Sequence, residues 1–418
     1  MPMVIEASKY TLDNGLRVLV HTDSSTPLAA VNLLYDVGSK DEHPEMTGFA
    51  HLFEHLMFGG TGAIPNFDKP LQLAGGENNA FTNTDITNYY ITIPVSNIET
   101  ALWLESDRMK GPDLSDKSLM VQKKVVAEEF RQRYLNQPYG DVMLNLRPYV
   151  YKVHPYRWPT IGIDISHIEK ADHNQLRDFF TRHYHPGNAI LTISGNISPE
   201  KAARLVTKWF GKIEPGATDV VRDLPREPVK TEPGVLSLER DVPADAIYKA
   251  WVINKRSDPA FHIFDALTDI LAGGESGRLY ASLVREKRLF SGINAFVTGE
   301  LDRGMLIIFG RVSEDVAIET AEEALNEEID KLRKRPPSDR ELQKVKNRFE
   351  SSFHLSHAGI LHKATALSIF ELMGDAMKLN EEVSAYSAIT AQMISESAER
   401  ILSEKSVSTL FYRKLRKE

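Results

Sequence analysis

Two histidines and one glutamate with metal-site spacing lie within residues 48–60. His51 and His55 are four positions apart, so on a helix they share one face and can direct both imidazoles at one ion. Glu54 lies three residues after His51 and next to His55, at the edge of the same face. In the motif His-Glu-x-x-His, a glutamate beside a histidine is the general base that activates zinc-bound water. His-x-x-Glu-His is the inverted form of that motif and predicts the same chemistry.

The same segment is otherwise apolar, with Leu52, Phe53, Leu56, Met57 and Phe58 around the three polar residues. Histidines that are only packed and hydrogen-bonded in a core are the alternative interpretation. Three polar side chains drawn toward a core need partners there, because burying them unpaired is costly. The chain contains no cysteine, so any metal must be held by His, Asp or Glu. The pattern therefore favours a metal site.

A zinc site with two imidazoles needs a third protein ligand and leaves the fourth position to water. The strongest candidate is Glu129, in a predicted amphipathic helix that also contains Gln122. Val125 and Val126 are expected to face the core, which would place Glu129 on the buried side and Glu128 toward solvent. An exposed surface acid is the ordinary alternative for Glu129, and the need for a third ligand favours the metal interpretation.

Composition and charge bound the class of protein. The 418 residues are 42% hydrophobic and 26% charged, which is typical of a globular chain of two or three domains. A net charge of −8 provides no general attraction to nucleic acid or anionic membranes, and no apolar run is long enough to span a bilayer. Glu6, Lys9 and Asp13 lie where a secretory signal would be apolar. We therefore expect a cytoplasmic protein, or a periplasmic one if a signal peptide has been removed.

The chain is expected to consist of two similar halves. Residues 211–234 contain four prolines and three glycines without an apolar period, which predicts a linker near the middle of the chain. We place the two domains at residues 1–212 and 235–418, joined by residues 213–234.

A weak internal repeat supports this duplication. Asn79-Ala80-Phe81 recurs as Asn294-Ala295-Phe296, 215 positions later, and the same offset places residues 90–93 on residues 305–308. We therefore expect a scaffold that is present twice and a metal motif that is present once. At an offset of 214, the three residues of the motif fall on a set without histidine: Asp265, Thr268 and Asp269.

Hydrophobic periodicity predicts both helices and strands. The predicted strands are residues 16–20, 30–37, 89–95, 189–194, 247–253 and 305–312. The predicted helices are residues 96–109, 118–134, 314–334 and 338–354. Because the two kinds of element are intermixed and several connections are hairpin-like, we predict an α+β fold.

These motifs together resemble the pitrilysin/insulinase (M16) family of metallopeptidases, over essentially the whole chain. The length resembles the short-chain subfamily that includes the β-subunit of the mitochondrial processing peptidase and bacterial relatives. The matching segments are residues 44–61 with the histidine motif, 75–82 with Gly-Gly-x-x-Asn-Ala-Phe-Thr, 125–129 with Val-Val-x-Glu-Glu, 154–162 with His-Pro-Tyr, and 273–287 in the second half.

The resemblance implies zinc on His51, His55 and Glu129, with Glu54 activating the water. It implies two homologous αβ domains of the LuxS/metallopeptidase type in each chain, and a chamber formed by two chains. An endopeptidase of this kind hydrolyses peptides or unfolded segments, which bind as an added β-strand along an edge strand. The residues of that edge strand are Asn79, Ala80, Phe81 and Thr82.

The sequence departs from the family pattern at two places. Gln122 stands where a second acid is usual, so it can support a ligand by hydrogen bonding but adds no charge. Arg285 fits the first position of an Arg/Tyr pair that holds the substrate carbonyl, but Gly292 stands at the second. Oxyanion stabilisation by a homodimer would then be incomplete. We therefore expect a dimer, and favour a heterodimer with an M16-like chain that lacks the zinc motif and supplies Arg and Tyr.

Other functions fit the sequence less well. A non-catalytic M16-like scaffold would have a degraded metal motif, and a hydrolase for substrates other than peptides would not need the edge-strand motif. The glycine-rich residues 273–277 lack the spacing and lysine of a phosphate-binding loop and predict a helix-terminating turn. His183 and His185 lie near Pro186 and are expected at the surface.

Overall fold

The computed structural model describes residues 4–216, 220 and 222–416. The predicted linker therefore lies partly outside the described residues, at 217–219 and 221. The chain forms two compact units. Unit 1 comprises Met1–Arg133, Trp158–Leu224 and His354–Glu381, and unit 2 comprises Tyr134–Arg157, Pro225–Phe353 and Glu382–Glu418.

Helices and strands alternate irregularly along the chain, as expected for an α+β fold. The strands are β1 (Ser8–Thr11), β2 (Arg17–Thr22), β3 (Leu28–Tyr35), β4 (Glu77–Thr82), β5 (Thr87–Pro94), β6 (Ala189–Gly195), β7 (Gly234–Arg240), β8 (Ala246–Val252), β9 (Phe290–Val297), β10 (Met305–Val312) and β11 (Ser408–Lys414). The helices are α1 (Phe49–Leu56), α2 (Asp68–Leu73), α3 (Ile98–Lys110), α4 (Asp116–Phe130), α5 (Val142–Val150), α6 (Ile165–Glu169), α7 (His173–His183), α8 (Pro199–Phe210), α9 (Ala260–Ala272), α10 (Ile318–Lys334), α11 (Asp339–Ser356), α12 (Ile360–Leu372), α13 (Glu382–Ser387) and α14 (Ala391–Ile401). Among the described helices, none combines the length and apolar character that crossing a bilayer requires.

The two sheets share the topology of five strands, and the sheet of unit 1 has β1 as an additional edge strand. Unit 1 has the strand order β1-β2-β6-β3-β5-β4, and unit 2 has the order β7-β11-β8-β10-β9. In each sheet one pair is parallel, β2 with β6 and β7 with β11, and the remaining neighbours are antiparallel. Each sheet ends in an antiparallel hairpin whose outer strand is the edge, β4 in unit 1 and β9 in unit 2. This repetition agrees with the predicted duplication of the scaffold.

The register of these hairpins corrects one detail of the sequence repeat. Asn79 lies opposite Tyr90 in unit 1, whereas Asn294 lies opposite Phe309 in unit 2. The second connection is therefore four residues longer, and the offset of 215 holds for β4 and β9 but not for the strands that follow them. The predicted equivalence of residues 90–93 with 305–308 is wrong because a loop of different length separates the two matched segments.

Each half of the chain contributes a helix to the other half's sheet. Helix α5 precedes the linker, yet Leu146 and Val150 pack in unit 2 with Tyr248 and Leu410 of its sheet. Helix α12 comes from the second half, yet Ala364 packs in unit 1 against Ala30 of β3. Each unit is therefore built from three chain segments, and a single cut at the linker would not separate them.

Buried hydrogen bonds fix α12 on the sheet of unit 1. The amide of Asn32 on β3 donates to Ser368 Oγ at 3.0 Å, and the hydroxyls of Ser368 and Thr192 on β6 are 2.7 Å apart. All three residues are fully buried. Satisfied polar groups in a core specify one packing arrangement, because any other arrangement would leave them unpaired.

The start of α1 is fixed by a buried carboxylate. Glu42 accepts hydrogen bonds from the backbone N–H groups of Gly48 at 2.8 Å and Ala50 at 2.9 Å, which have no partner within the helix. Gly48 has φ +92°, and a Cβ there would lie 2.8 Å from the carbonyl oxygen of Ile161, so glycine is required. Burial raises the pKa of Glu42 well above its ordinary value, and the hydrogen bonds from Ala50 and Gly48 oppose this increase.

We predict that Glu42→Ala lowers the free energy of unfolding of unit 1 by about 1–3 kcal/mol, because two buried N–H donors lose their acceptor. Glu42→Gln should lose less, since an amide oxygen still accepts a hydrogen bond. Denaturant unfolding of the full chain measures both effects. Glu45→Ala, which removes an exposed acid three residues away, is the control and should change little. Equal stability of Glu42→Ala and Glu45→Ala would contradict the capping role.

Candidate metal centre

Helix α1 places the two histidines on one face. The rings of His51 and His55 are perpendicular, with centroids 4.8 Å apart, and both side chains are partly exposed, by 12% and 22%. On the opposite face Leu52, Phe53 and Leu56 are fully buried. Burial of this apolar face orients the helix, and the imidazoles consequently lie at the boundary between core and solvent.

Helix α4 brings a carboxylate to the two imidazoles. Glu129 Oε2 lies 3.2 Å from Nε2 of His55 and 3.7 Å from Nε2 of His51. The three candidate ligand atoms lie within 4.8 Å of one another, and no other group of three such residues occurs in the described part of the chain. A tetrahedral ion with bonds of about 2.1 Å separates its ligands by roughly 3.4 Å, which is close to the two shorter distances.

The protonation states suit a cation. Burial and the neighbouring His55 lower the pKa of His51 to about 4, so its imidazole is neutral near pH 7. The hydrogen bond from His55 lowers the pKa of Glu129, the charge of Arg133 adds to this effect, and the carboxylate is therefore ionised near pH 7. Neutral imidazole and carboxylate are the forms that bind divalent ions. A His₂Glu set is a usual donor set of catalytic zinc, so the residues fit that ion.

Glu54 lies on α1 between the ligands and the edge strand. Its carboxylate accepts hydrogen bonds from the hydroxyl and the backbone N–H of Thr82 at the end of β4. Burial raises the pKa of Glu54 above its ordinary value, with Glu129 adding to the increase and the Thr82 hydrogen bonds opposing it. A carboxylate with a raised pKa beside a metal site is suited to accept and return a proton.

The predicted peptide-binding residues form the edge of the sheet in unit 1. Asn79, Ala80, Phe81 and Thr82 all lie on β4, which pairs with β5 on one side only. The backbone N–H of Ala80 donates to the side-chain oxygen of Asn79 at 2.8 Å and is therefore not used by the ladder with β5. The outer edge of β4 thus offers main-chain groups to an added strand.

The remaining predicted residues lie in different environments. Gln122 is half-buried on α4, beside the turn that follows α1, where a Cβ on Gly59 would lie 3.6 Å from its amide nitrogen. Arg285 is exposed on the π-helical turn Tyr280–Glu286 of unit 2, so it belongs to a different compact unit from the histidines. The structure does not group Arg285 with the candidate ligands. Gly292 lies on β9.

The exposure of side chains on α4 agrees with the prediction for Glu129 and Glu128 and differs from it for Val125. Glu129 is 17% exposed and Glu128 is 57% exposed, as predicted, but Val125 is 44% exposed rather than buried. The prediction for Val125 was wrong because the buried stripe of α4 is formed by Leu119, Val126, Ala127 and Phe130, and Val125 lies outside it.

The prediction that His183 and His185 lie at the surface is wrong, because their side chains are buried, with exposures of 3% and 8%. His183 ends α7, and its ring is tilted by 50° against that of Phe179, with the ring centroids 4.7 Å apart. The predicted turn after α9 is present, with Gly273 at the helix end and Gly274 at φ +78°.

Two arginines near the site were not predicted from the sequence. Arg133 Nη1 lies 2.8 Å from Glu129 Oε1, and the spacing of four residues was the signal that could have revealed this pair. Arg108 is buried behind the site, between the rings of Phe58, Phe67 and Tyr89, and its guanidinium lies 3.4 Å from Glu105. Since Phe58 follows α1 directly, this cationic stack supports the end of the helix that carries the histidines.

The corresponding helix of unit 2 carries no such ligand set. Asp265 on α9 accepts a hydrogen bond from the hydroxyl of Tyr386, and Asp269 forms an ion pair with Arg348 at 3.2 Å. These acids are satisfied by protein partners. Within the described residues, the metal-binding geometry consequently occurs once although the scaffold occurs twice.

Known proteins resemble this chain along most of its length. Residues 17–161 match the family model described as Insulinase (Peptidase family M16), and residues 170–349 match the one described as Peptidase M16 inactive domain. The zinc protease PqqE of Helicobacter pylori is 29% identical over 351 residues, which cover 82% of this chain and 78% of that protein. The mitochondrial-processing peptidase subunit beta of Caenorhabditis elegans is 27% identical over 217 residues, covering 51% and 46%.

Solved structures give the same result. The crystal structure of a protease from Helicobacter pylori superposes with a TM-score of 0.93 at 25% identity, and the match covers 98% of this chain and 100% of that one. Both family models and the relatives named as zinc proteases indicate the same family. The chain is a member of the M16 family of metallopeptidases, with both of its characteristic domains.

Proposed function

We propose that this protein is a zinc-dependent endopeptidase with one metal site per chain. The observation that carries the proposal is the convergence of His51, His55 and Glu129, with Glu54 beside them. Zinc held by these three residues would supply Lewis acidity toward a peptide carbonyl and acidify a water molecule. Relatives named as zinc proteases support this choice of metal.

Glu54 supplies the proton transfers in this proposal. Its carboxylate takes a proton from the attacking water and then delivers it to the amine of the departing peptide. The hydrogen bonds from Thr82 hold the carboxylate in place between the ligands and β4. The raised pKa brings Glu54 closer to the range in which a carboxyl group both accepts and donates protons efficiently.

The substrate is an extended peptide that adds as a strand to the outer edge of β4. Main-chain hydrogen bonds hold any extended segment with little regard to its side chains, so unfolded segments of varied sequence are suitable. The strand ends at Thr82, which contacts Glu54, so a peptide bound along this edge would lie next to the catalytic carboxylate.

The active form is a dimer that encloses a chamber. A relative is named as a subunit, and the second domain of this chain matches the model described as inactive. Both observations support an active form in which two chains contribute different residues. The chain has Arg285 but has Gly292 where the family has a tyrosine, so a partner of the same fold without the zinc motif would complete the group that holds the substrate carbonyl.

We predict that Glu54→Gln retains zinc and lowers kcat by about 10²–10⁴-fold, because the proton acceptor is lost while the ligands remain. His51→Ala or His55→Ala should lose zinc as well as turnover. Metal analysis of the purified chains and cleavage of quenched peptides, with and without chelator, measure both properties. Glu128→Gln, which changes an exposed acid next to a ligand, is the control. Normal cleavage by Glu54→Gln would exclude Glu54 as the base.

We predict that Ala80→Pro lowers kcat/KM for peptides about 10-fold or more at unchanged zinc content, because it removes an outward N–H without disturbing the ladder with β5. The matched control is Ala295→Pro on β9, where the N–H donates to Asn294 in the same way at 2.8 Å. The control should cleave peptides normally. Equal losses in the two variants would indicate a general effect on edge strands and contradict binding at β4.

We predict that Gly292→Tyr raises the kcat of the isolated chain by about 10-fold or more, because it restores a phenol that can stabilise the substrate oxyanion. The substitution is sterically allowed, since a Cβ at Gly292 meets no described atom within 4 Å. Gly292→Phe has the same ring without the hydroxyl and is the control. If the wild-type chain alone already reaches the turnover measured with any added M16 chain, the need for a partner is disproved.

A further inference from the structure

The two carboxylate oxygens of Glu129 face different partners. Oε2 faces the histidines, 3.2 Å from His55 and 3.7 Å from His51. Oε1 faces away from them and lies 2.8 Å from Nη1 of Arg133. The orientation of the carboxylate is therefore constrained from both sides, although only one oxygen is directed into the ligand group.

The backbone after α4 explains this arrangement. Arg133 follows Glu129 by four residues and lies in the π-helical turn Arg131–Leu135 that continues the helix. The other arginine of the turn has different partners, since Arg131 lies 3.7 Å from Glu128 and 3.3 Å from Glu169. The two guanidinium groups are thus separated, and only Arg133 contacts the candidate ligand. Wider turns of this kind are frequent at functional sites.

We propose that Arg133 is a positioning residue for the metal site, which holds Oε1 of Glu129 so that Oε2 alone is presented to the ion. This inference rests on the proposed function, because it assumes that a divalent ion binds His51, His55 and Glu129. A carboxylate that offers one oxygen occupies one coordination position and leaves another for water or substrate. Partners of this kind typically change metal affinity or activity by about 10–100-fold.

The direction in which zinc affinity changes when Arg133 is removed distinguishes this role from two simpler ones. Arg133 is 70% exposed, and a solvated ion pair without a role in metal binding would leave zinc affinity unchanged when removed. A guanidinium that acts only through its positive charge repels a cation, so its removal would tighten zinc binding. A guanidinium that orients Glu129 has the opposite effect, because its removal allows the carboxylate to turn and weakens zinc binding.

The test compares the zinc dissociation constant of the full-length chain and its variants, by competition with a chromogenic chelator at constant pH. We expect Arg133→Met to weaken zinc binding by about 10–100-fold. Arg133→Lys keeps a cationic donor and should recover most of the affinity. The matched control is Arg131→Met in the same turn, which should bind zinc as the wild type does. Thermal unfolding of the zinc-free chains checks that the variants are folded.

Zinc binding by Arg133→Met that equals or exceeds that of the wild type would overturn the positioning role. Failure of Arg133→Lys to bind more tightly than Arg133→Met would overturn it as well. The proposed function is tested separately in the same assay, because the wild type must bind one zinc per chain and His51→Ala must not. A wild-type chain without stoichiometric zinc would disprove the metal site itself, whereas normal wild-type binding with an unaffected Arg133→Met disproves only the role of Arg133.

Discussion

A carboxylate and two imidazoles, held together at the edge of an apolar core, are the constraint on which the site depends. Glu129 is mostly buried beside His51, whose pKa is lowered to about 4, so near pH 7 the imidazole offers a lone pair rather than a positive charge to the carboxylate. Within this group the carboxylate is stabilised by the hydrogen bond from His55, and Arg133 pairs with its other oxygen. In the proposed function a divalent cation would replace the proton of that hydrogen bond and accept an electron pair from each of the three side chains.

The elements around the site can be understood from that requirement. Glu42 fixes the start of α1, and the buried stack on Arg108 supports the residues after its end, so the histidine pair is held at both sides. Thr82 connects Glu54, the proposed proton acceptor, to the main chain of the edge strand β4. The site is thus carried by helices and a strand with fixed neighbours, and such rigid support is what preserves catalytic geometry.

The sequence predicted the α+β fold, the histidine pair, the buried side of Glu129 and the edge position of Asn79, because each depends on local periodicity or on a motif. It did not predict that α5 packs on the sheet of unit 2 and α12 on the sheet of unit 1. This placement depends on long-range packing, such as the contact of Ser368 with Asn32. Val125, His183 and His185 were misplaced for a related reason. Burial of a single position depends on what the tertiary fold places opposite it, which local pattern alone does not determine.

The duplicated scaffold carries the candidate ligands in one copy only, within the part of the chain that the structure describes. Both units contain the shared five-strand order, with a helix after its middle strand, and of these two helices α1 has the candidate ligands whereas α9 does not. In unit 2, Asp265 and Asp269 occur on α9 and are bound by Tyr386 and Arg348, so restoring a metal site would require breaking those pairs as well as introducing histidines. The fold therefore does not specify the chemistry, and the proposed activity depends on a few side chains in one copy.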